Sequence, residues 1–344
     1  MTNNKPVTIK DVAKHLGIAF STVSRALHGK PYVSAELRAR VEAAAAELGY
    51  VPNAGARMLH KPYGSSIGLV IPDFPNQLFA TAAQIFATRF AQEGLNLMLG
   101  VSGDDPETEL RQVMALREAR VAGIAIATCG RSLDRTVELL RSIPTVDLAD
   151  RSVNLQFPTV TLDDEQSLLL ATTHLLQLGH RTIAYIGGES ALGTGQRRLA
   201  GFNAAMASYG VEPLPRLIQQ GPLTVDFARM ATIRLMNAAV RPTGLVVANS
   251  LQTEGAVDAI ASLGLRLPDD LSLLGYGDAS WFKLYGKGIT TIDTRTVDLA
   301  NAGVDILLER MTAFEQGRSH DENPIRYTLQ CNLIQRGSTG VPPS

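Results

Sequence analysis

Residues that could bind a small molecule follow one apolar run near the end of the chain. The run LSLL precedes Tyr276, Gly277 and Asp278, and the chain's one tryptophan, Trp281, comes shortly after. This pattern predicts a buried strand that ends in a loop rich in turn residues. Because ligands bind outside the carboxyl ends of strands in open α/β sheets, we expect this loop to face a ligand.

A second group of residues, near the N-terminus, has the chemistry of DNA recognition. In the segment STVSRALHG, Val23, Ala26 and Leu27 form one apolar helix face. The other face presents an aromatic tip, hydroxyls and a guanidinium: Phe20, Ser21, Thr22, Ser24 and Arg25. Arginine can read guanine through two hydrogen bonds in the major groove, and hydroxyls bind phosphates.

Three short helices are predicted to position these side chains. TIKDVAKHLG predicts a helix capped by Thr8 and ended by Gly17, and a third helix is predicted from Ser34 to Gly49. Two short helices joined by a tight turn are typical of a helix-turn-helix. Residues 1–63 hold nine Lys/Arg and four Asp/Glu, a balance of +5 within a chain of net charge −1. This basic balance favours DNA binding over the alternative of an accessory domain without a ligand.

The segment that follows predicts a short helix and then a linker. Pro52 and Asn53 can start a helix that AGARMLH continues for about two turns. Gly55 lies inside that helix and weakens it. A plain tether is the alternative, and Pro62, Gly64 and the serines after it are typical of a linker.

The rest of the chain alternates apolar, strand-like runs with helical patterns. SIGLVIP, LNLMLGV, GIAIAT and TVDLA predict strands, with helices over 77–93, 107–120 and 132–142. TIAYIGG, LIQQ, GLVVAN and LSLLGYG predict a second series, with helices near 165–179, 196–210, 225–239 and 251–264. The alternation predicts an α/β fold class with two Rossmann-like parallel sheets and a cleft between two lobes.

The order of these motifs resembles one family over nearly the whole chain. TIKDVAKHLGI, STVSRALHGKPYVS, YVPNAGARML and SSIGLVIPD are similar to the LacI/GalR (lactose-repressor/galactose-repressor) family of bacterial transcription regulators. The resemblance implies a three-helix DNA-binding head over 1–51, a hinge helix and linker over 52–63, and a two-lobed periplasmic-binding-protein-like domain over 64–344. It also implies three crossings between lobes. TTIDT and the helix at 296–316 would return to the first lobe, and RYTLQCNLIQR would end in the second.

The resemblance implies three kinds of DNA contact. The positions of the major-groove readers are Phe20, Ser21 and Arg25. The positions that contact the DNA backbone are Thr22, Ser24, His28, Tyr32 and Ser34. The hinge-helix positions are Asn53, Ala56 and Leu59, the last corresponding to an apolar wedge in the minor groove. Ala19 departs from the phosphate-binding serine usual in the family, so we expect one backbone contact fewer.

The resemblance also implies an effector pocket at the strand ends. Its positions are Asp73, Phe74, Asn76, Phe79, Asp147, Asp150, Arg198, Asn249, Tyr276 and Asp278. Trp281 could add a flat face for stacking. Two departures concern the family's carboxylates: Asn249 is followed by Ser250 rather than aspartate, and Gly277 replaces an aspartate that accepts hydrogen bonds from sugar hydroxyls.

We therefore expect a sugar or a sugar acid as effector. Gly277, Arg198 and the nearby Lys283 favour the acid, since a lost carboxylate removes repulsion toward an anion. The alternative is that Asp278 takes over the same role for a neutral sugar. For each carboxylate taken singly, a helix cap or a salt bridge is the alternative to ligand binding.

Other functional classes are disfavoured by the sequence. GGESALGTG follows neither the P-loop nor the nucleophile-elbow pattern, and His174 and His180 lack metalloprotease spacing, so no catalytic residue is predicted. Cys129 and Cys331 form no metal motif, and neither a metal nor a cofactor is expected.

A solute receptor would need an export signal and would lack the DNA-binding head. The N-terminus has no apolar core of signal-peptide length, and no apolar run reaches membrane-spanning length, so we expect a cytoplasmic protein with no membrane partner. No C-terminal leucine heptad is present, so we expect a homodimer on a pseudo-palindromic operator. We predict a repressor released by its effector, and co-repression, as in purine-repressor-like members, is the alternative.

Overall fold

The chain divides into two compact units, Met1–Gly64 and Ser65–Ser344. The computed structural model describes residues 7–27, 33–50, 64–152, 155–318 and 325–343. The predicted hinge helix falls outside these residues, and the predicted limits of the three segments stay a prediction. Among the described residues, no helix combines the length and apolarity needed to cross a bilayer.

The described part of the first unit contains helices α1 (Ile9–Leu16), α2 (Phe20–Leu27) and α3 (Ala35–Glu47). Before α1, the Thr8 amide and hydroxyl both donate to the Asp11 carboxylate, at 2.8 and 2.6 Å. The helix ends at Gly17, whose φ of 65° suits glycine. Before α3, Ser34 Oγ accepts a hydrogen bond from the Leu37 amide at 3.2 Å. The predicted caps are confirmed. Thr8 and Ser34 lie at helix starts, where backbone amides lack partners within the helix, and Gly17 ends α1.

The first unit folds around a core of small side chains. Its buried residues are Val12, Ala13, Val23, Ala26, Val41, Ala44 and Ala45. Alanine and valine let three short helices approach closely, but each removes little apolar area from water. A core of this size supplies little stability, as is general for domains of about 60 residues.

The second unit begins with a lobe built on one parallel sheet. Its first strands are β1 (Ser66–Ile71), β2 (Asn96–Val101), β3 (Ile124–Ile126), β4 (Thr145–Leu148) and β5 (Thr159–Leu162). The helices between them are α4 (Gln77–Gln92), α5 (Pro106–Glu118) and α6 (Asp134–Arg141). Helix α4 covers one face of the sheet, with Phe86 and Phe90 fully buried, and α5 and α6 cover the other face.

A second lobe repeats this plan. Its strands are β6 (Ile183–Gly188), β7 (Ile218–Gly221), β8 (Gly244–Val247), β9 (Ser272–Tyr276) and β10 (Thr290–Asp293). Its helices are α7 (Asp164–Gln177), α8 (Gly193–Ser208), α9 (Val225–Met236) and α10 (Ser250–Ser262). Short 3-10 turns lie at Pro215–Leu217 and Ser280–Lys283. Leu168 and Phe202 pack on one face of the sheet, and Ala228 and Ala256 pack on the other.

The chain then returns twice between the lobes. Helix α11 (Thr296–Glu315) packs on the first sheet beside α4, β11 (Arg326–Leu329) joins that sheet, and β12 (Asn332–Ile334) joins the second. Among the described residues, the strand orders are β11-β5-β4-β3-β1-β2 and β12-β10-β9-β8-β6-β7. All pairs are parallel except that of β10 with β12. The three crossings and the α/β class with two sheets are confirmed.

The sequence-based topology is wrong in one detail and incomplete in two. TTIDT forms β10 in the second sheet, paired with β9, rather than returning to the first lobe. RYTLQCNLIQR ends in the second sheet as expected, through β12, but its first half forms β11 in the first sheet, paired with β5. Strand β5 was not predicted at all. Apolar spacing indicates that a segment is a strand but carries no information about which sheet it joins.

Candidate functional sites

The candidate DNA-contacting residues lie on one side of α2. Val23 and Ala26 are buried in the core, which leaves Phe20, Ser21 and Arg25 exposed. Phe20 is 49% exposed although it is a large apolar side chain. Among the described residues, Arg25 forms neither an ion pair nor a side-chain hydrogen bond, so none of them occupies its guanidinium donors. An aromatic tip and an unpaired arginine on an exposed helix face suit contact with DNA.

Other predicted DNA-contacting residues are in different settings. Thr22 and Ser24 are half-buried on α2. Ser34 caps α3 through an oxygen lone pair, which leaves its hydroxyl hydrogen available. His28, Tyr32, Asn53, Ala56 and Leu59 lie outside the described residues.

Within the second unit, a cleft of about 510 Å³ lies where strands of both sheets end. This volume falls in the range of small-molecule sites. Seven of the predicted effector-binding residues line it: Asp73, Asn76, Phe79, Arg198, Asn249, Tyr276 and Asp278. They come from both lobes, so a molecule in this cleft would contact both.

Arg198 is held rigidly at the cleft wall. Its Nε donates to Asp164 Oδ1 at 2.7 Å, and its Nη1 donates to the Ala248 carbonyl at 2.7 Å. The guanidinium carbon lies 4.0 Å from the ring centroid of Tyr276, whose hydroxyl donates to the same Asp164 oxygen at 3.0 Å. Burial by itself would lower the pKa of Arg198, but the Asp164 carboxylate outweighs it and raises that pKa. Nη2 makes no hydrogen bond to a described residue and is available to a ligand.

Two asparagines begin helices at the cleft. Asn249 Oδ1 accepts hydrogen bonds from the amides of Leu251 and Gln252, at 3.0 and 3.2 Å. Its oxygen is therefore occupied, and Nδ2 remains as a donor. Asn76 Oδ1 accepts from the Leu78 amide at 3.1 Å and from the hydroxyl of Ser250, across the cleft, at 3.3 Å. Both side chains serve the fold and line the site at once.

Asp278 is paired within the protein. Arg336 donates to both of its carboxylate oxygens, at 2.6 and 2.9 Å, and both side chains are largely buried. The residue before it, Gly277, has a φ of 85°, which an aspartate adopts only with strain. The departure from the family pattern at 277 therefore has a backbone reason, and Asp278 is not free in the way expected of a sugar acceptor.

Three predicted effector residues do not line the cleft. Asp147 is 1% exposed inside β4, and burial raises its pKa to about 8. Phe74 is 52% exposed outside the cleft lining. Trp281 packs edge-on against Phe282 and lines a separate depression on the surface. The 3-10 turn after β9 carries the indole away from the strand end. Lys283, in the same turn, is exposed and does not line the cleft either.

Asp150 also lies outside the cleft lining. Its carboxylate instead forms ion pairs with one arginine from each lobe. Arg326 donates to its carboxylate at 2.7 Å, and Arg197 of α8 lies 3.0 Å away. Arg197 also contacts Asp164 at 3.4 Å. Burial raises the pKa of Asp150, and these two arginines oppose that rise. The contacts form a chain of charged groups from Arg198, through Asp164 and Arg197, to the first lobe.

Several cleft residues were missed by sequence reasoning. Arg151 lines the cleft and donates to Asp104 at 2.7 Å, Asp293 ends β10 in the second lobe, and Arg295 lies two residues beyond it. For Asp293 and Arg295, the available signal was the polar cluster DTR at the end of the strand-like run TTI, similar to the signal that identified Tyr276. Asp164 was missed together with β5, the strand that it follows.

Comparisons with known proteins agree with this architecture. Residues 8–53 match the model of bacterial regulatory proteins of the lacI family, and residues 172–339 match a periplasmic binding protein-like domain. The HTH-type transcriptional repressor PurR of Haemophilus influenzae (strain PittEE) is 30% identical over 312 residues, 90% of this chain and 93% of that protein. The ribose operon repressor of Halalkalibacterium halodurans is 28% identical over 335 residues, 96% of this chain and 97% of that protein.

Solved structures extend the match to three dimensions. A crystal structure of the Lac repressor dimer, bound to operator and the anti-inducer ONPF, superposes with a TM-score of 0.82. The two sequences are 27% identical, and the match covers 98% of this chain and 100% of that one. Since relatives and fold agree over nearly the whole length, this chain belongs to the LacI family and is a DNA-binding transcriptional repressor, not an enzyme, with a periplasmic-binding-protein-like effector domain.

Proposed function

We propose that this repressor acts in the cytoplasm as a homodimer, each head contacting one half of a pseudo-palindromic operator. The exposed face of α2 carries this proposal. Arg25 and Ser21 would contact base edges with Phe20 beside them, and Thr22, Ser24 and Ser34 would hold phosphates. His28, Tyr32, Asn53, Ala56 and Leu59 are proposed to add backbone and minor-groove contacts. The symmetry of two identical heads would be reflected in the DNA.

Selection from random duplex DNA tests this proposal and needs no operator of known sequence. The full chain is expected to enrich a sequence with two-fold symmetry, and its affinity should fall steeply as salt concentration rises. Enrichment of asymmetric sequence, or none, would contradict the proposed mode of recognition. The oligomeric state, measured by sedimentation, should be a dimer at the concentrations used for DNA binding.

We further propose that an effector, a sugar or sugar acid, binds the cleft and releases the operator. Its contacts would include Arg198 Nη2, Asn249 Nδ2 and the carboxylate of Asp73. A ligand shifts an equilibrium only through different affinities for two states, and contacts to both lobes supply that difference. The charged chain from Arg198 through Asp164 and Arg197 to Asp150 supports coupling between ligand and lobe orientation, typically about 1–3 kcal/mol in magnitude.

The sign of the response is a separate question. In the alternative, ligand strengthens DNA binding, and the similarity to repressors named PurR favours keeping this second candidate. Operator affinity with and without a stabilising ligand decides between them, because induction predicts weaker binding and co-repression predicts tighter binding. Gly55→Ala in the predicted hinge helix should hold the operator more tightly and reduce the response, since alanine favours the helix by about 1 kcal/mol.

A further inference from the structure

The cleft contains more carboxylates than arginines, and this excess of negative charge affects which ligands can bind. The arginines that line it all have a carboxylate of the protein as partner: Arg151 with Asp104, Arg198 with Asp164, and Arg295 with Asp298, at 2.7, 2.7 and 2.8 Å. The carboxylate of Asp278 is likewise paired, with Arg336 at 2.6 Å. In these four pairs, each positive charge that borders the cleft is offset by a negative one.

Two carboxylates in the lining have no such partner. Asp73 follows β1 in the first lobe, and Asp293 ends β10 in the second. Neither forms an ion pair with any described residue. Each uses one oxygen to accept a backbone hydrogen bond, from the amides of Asn76 at 2.8 Å and Arg295 at 2.9 Å. Each therefore has a second oxygen whose lone pairs accept no hydrogen bond from the part of the chain that the structure describes.

The lining itself contains four aspartates (Asp73, Asp278, Asp293 and Asp298) and three arginines, an excess of one negative charge. An anion placed there would be repelled from both lobes, and a like charge costs more where water is excluded. Arg198 could attract a carboxylate through Nη2, but Asp164, which it shares with Arg197, already offsets part of its charge. A hydroxyl can donate to Asp73 or Asp293 and accept from Arg198 Nη2 or Asn249 Nδ2, whereas a carboxylate can only accept.

We infer that the effector is a non-anionic, hydroxyl-bearing small molecule, and that Asp73 and Asp293 reject its acidic counterparts while accepting hydrogen bonds from its hydroxyls. This inference rests on the proposed function of the cleft and narrows it. It reverses the preference for a sugar acid that Gly277, Arg198 and Lys283 suggested. Gly277 does remove one carboxylate, but Asp293 places another at the same wall.

The test uses matched pairs of ligands and the full chain. Hexoses and pentoses, each beside its own aldonate and uronate, are screened by thermal unfolding, and any compound that stabilises is titrated by calorimetry. At least one neutral sugar should bind, and its acid should bind about tenfold more weakly or worse, as one unfavourable charge contact of about 1.4 kcal/mol would give. The inference is overturned if an acid binds more tightly than its neutral partner, or if every neutral sugar fails to stabilise the protein.

Isosteric variants then test whether Asp73 and Asp293 cause the preference for neutral sugars over their acids. Asp73→Asn and Asp293→Asn keep an oxygen for the backbone hydrogen bonds and remove the charge. Singly and together they should raise the affinity for the acid relative to the neutral sugar. Asp258→Asn with Asp269→Asn makes the same change in net charge at exposed positions and should leave the ratio unchanged. Equal ratios in both double variants would show that Asp73 and Asp293 do not determine specificity.

The single variants keep the test informative if the double variant does not fold. The DNA selection described above keeps the two proposals separable. Symmetric operator binding together with a preference for acids leaves the repressor proposal intact and removes this inference. Binding of neutral sugars without any change in operator affinity removes ligand control and leaves the inference on ligand class in place.

Discussion

The head and the cleft use charged side chains in opposite ways. In the head, Arg25 is exposed and unpaired among the described residues, above a core of alanine and valine. In the cleft, Arg198 is buried, hydrogen-bonded by Asp164 and the Ala248 carbonyl, and covered by an aromatic ring. A DNA-contacting arginine can stay solvated until DNA arrives, whereas a cleft arginine must be stabilised before any ligand binds.

This difference predicts where a substitution affects stability and where it affects binding. A buried charge that loses its partner keeps its desolvation penalty, so the fold is destabilised. An exposed, unpaired charge contributes little to folding, so its removal affects only the contact it makes with a ligand. The head should therefore tolerate changes in its reading residues that the cleft does not tolerate in its paired ones.

The largest effect is expected from Asp164→Asn, which would leave Arg198 buried without its carboxylate. Removal of one partner from a buried ion pair typically costs about 3–5 kcal/mol. Urea unfolding followed by the fluorescence of Trp281, the chain's one tryptophan, measures the free energy of unfolding of the second unit. The loss should come with weaker ligand binding, because the same carboxylate accepts from the Tyr276 hydroxyl at 3.0 Å.

Asp258→Asn is the matched control, since Asp258 pairs with Arg229 on the surface at the same 2.7 Å. An exposed pair of this kind contributes about 0–1 kcal/mol, so the control should unfold close to wild type. Equal losses in the two variants would contradict the claim that burial of Arg198 makes its pair essential.

A pH-dependent effect is expected next, at Asp147. Burial raises its pKa from the usual 3.8 to about 8, and Asp150 adds to that rise. The folded protein therefore holds a proton that the unfolded chain releases near pH 4, so Asp147 makes wild-type stability fall as pH rises from about 4 to about 8. In the variant Asp147→Asn, the side-chain amide carries no charge at any pH, so this contribution is absent.

Asp147→Asn should thus gain stability relative to wild type as pH rises, by up to about 1.4 kcal/mol per pH unit within that window. Urea unfolding at about pH 5 and pH 7 measures the gain, which should reach roughly 2 kcal/mol over this interval. A difference between the two proteins that does not change with pH would mean that Asp147 is not protonated in the fold. The head has no buried carboxylate among its described residues. As long as the protein stays folded, its DNA affinity should therefore not change with the protonation of Asp147.

The sequence predicted where helices and strands lie along the chain better than it predicted which elements they pack or pair with. The helix caps Thr8 and Ser34 were predictable because a cap is local, involving residues three apart. The lobe to which β10 belongs was not, since pairing with β9 depends on the path of the whole chain. For the same reason, the partners of Arg198 and Asp278, which lie 34 and 58 positions away, could not be inferred. Sequence identified the cleft residues but not which of them were already neutralised.

In the head, Arg25→Ala should weaken DNA binding without loss of stability. A guanidinium that reads guanine contributes about 1–3 kcal/mol, and its loss should relax sequence preference at one position of each half-site. Competition between the selected operator and its single-base variants measures both effects. Arg40→Ala on α3 removes the same charge from another exposed position and should reduce affinity without changing preference. A large fall in the melting temperature of the Arg25 variant would contradict the contrast with Arg198.

The smallest effect is expected at Gly277, where the cleft wall depends on backbone shape rather than charge. Its φ of 85° makes Gly277→Ala costly by roughly 1–2 kcal/mol, and the new methyl would lie 3.2 Å from Cβ of Ser250. Gly286→Ala is the matched control, because its φ is 54° and no atom lies within 4 Å of the added carbon. Both variants should lose similar stability, but only the change at Gly277 should weaken sugar binding, since only Gly277 lines the cleft. Identical ligand affinity in the two variants would mean that this glycine serves the turn alone, and that aspartate is absent at 277 for conformational reasons unrelated to the effector.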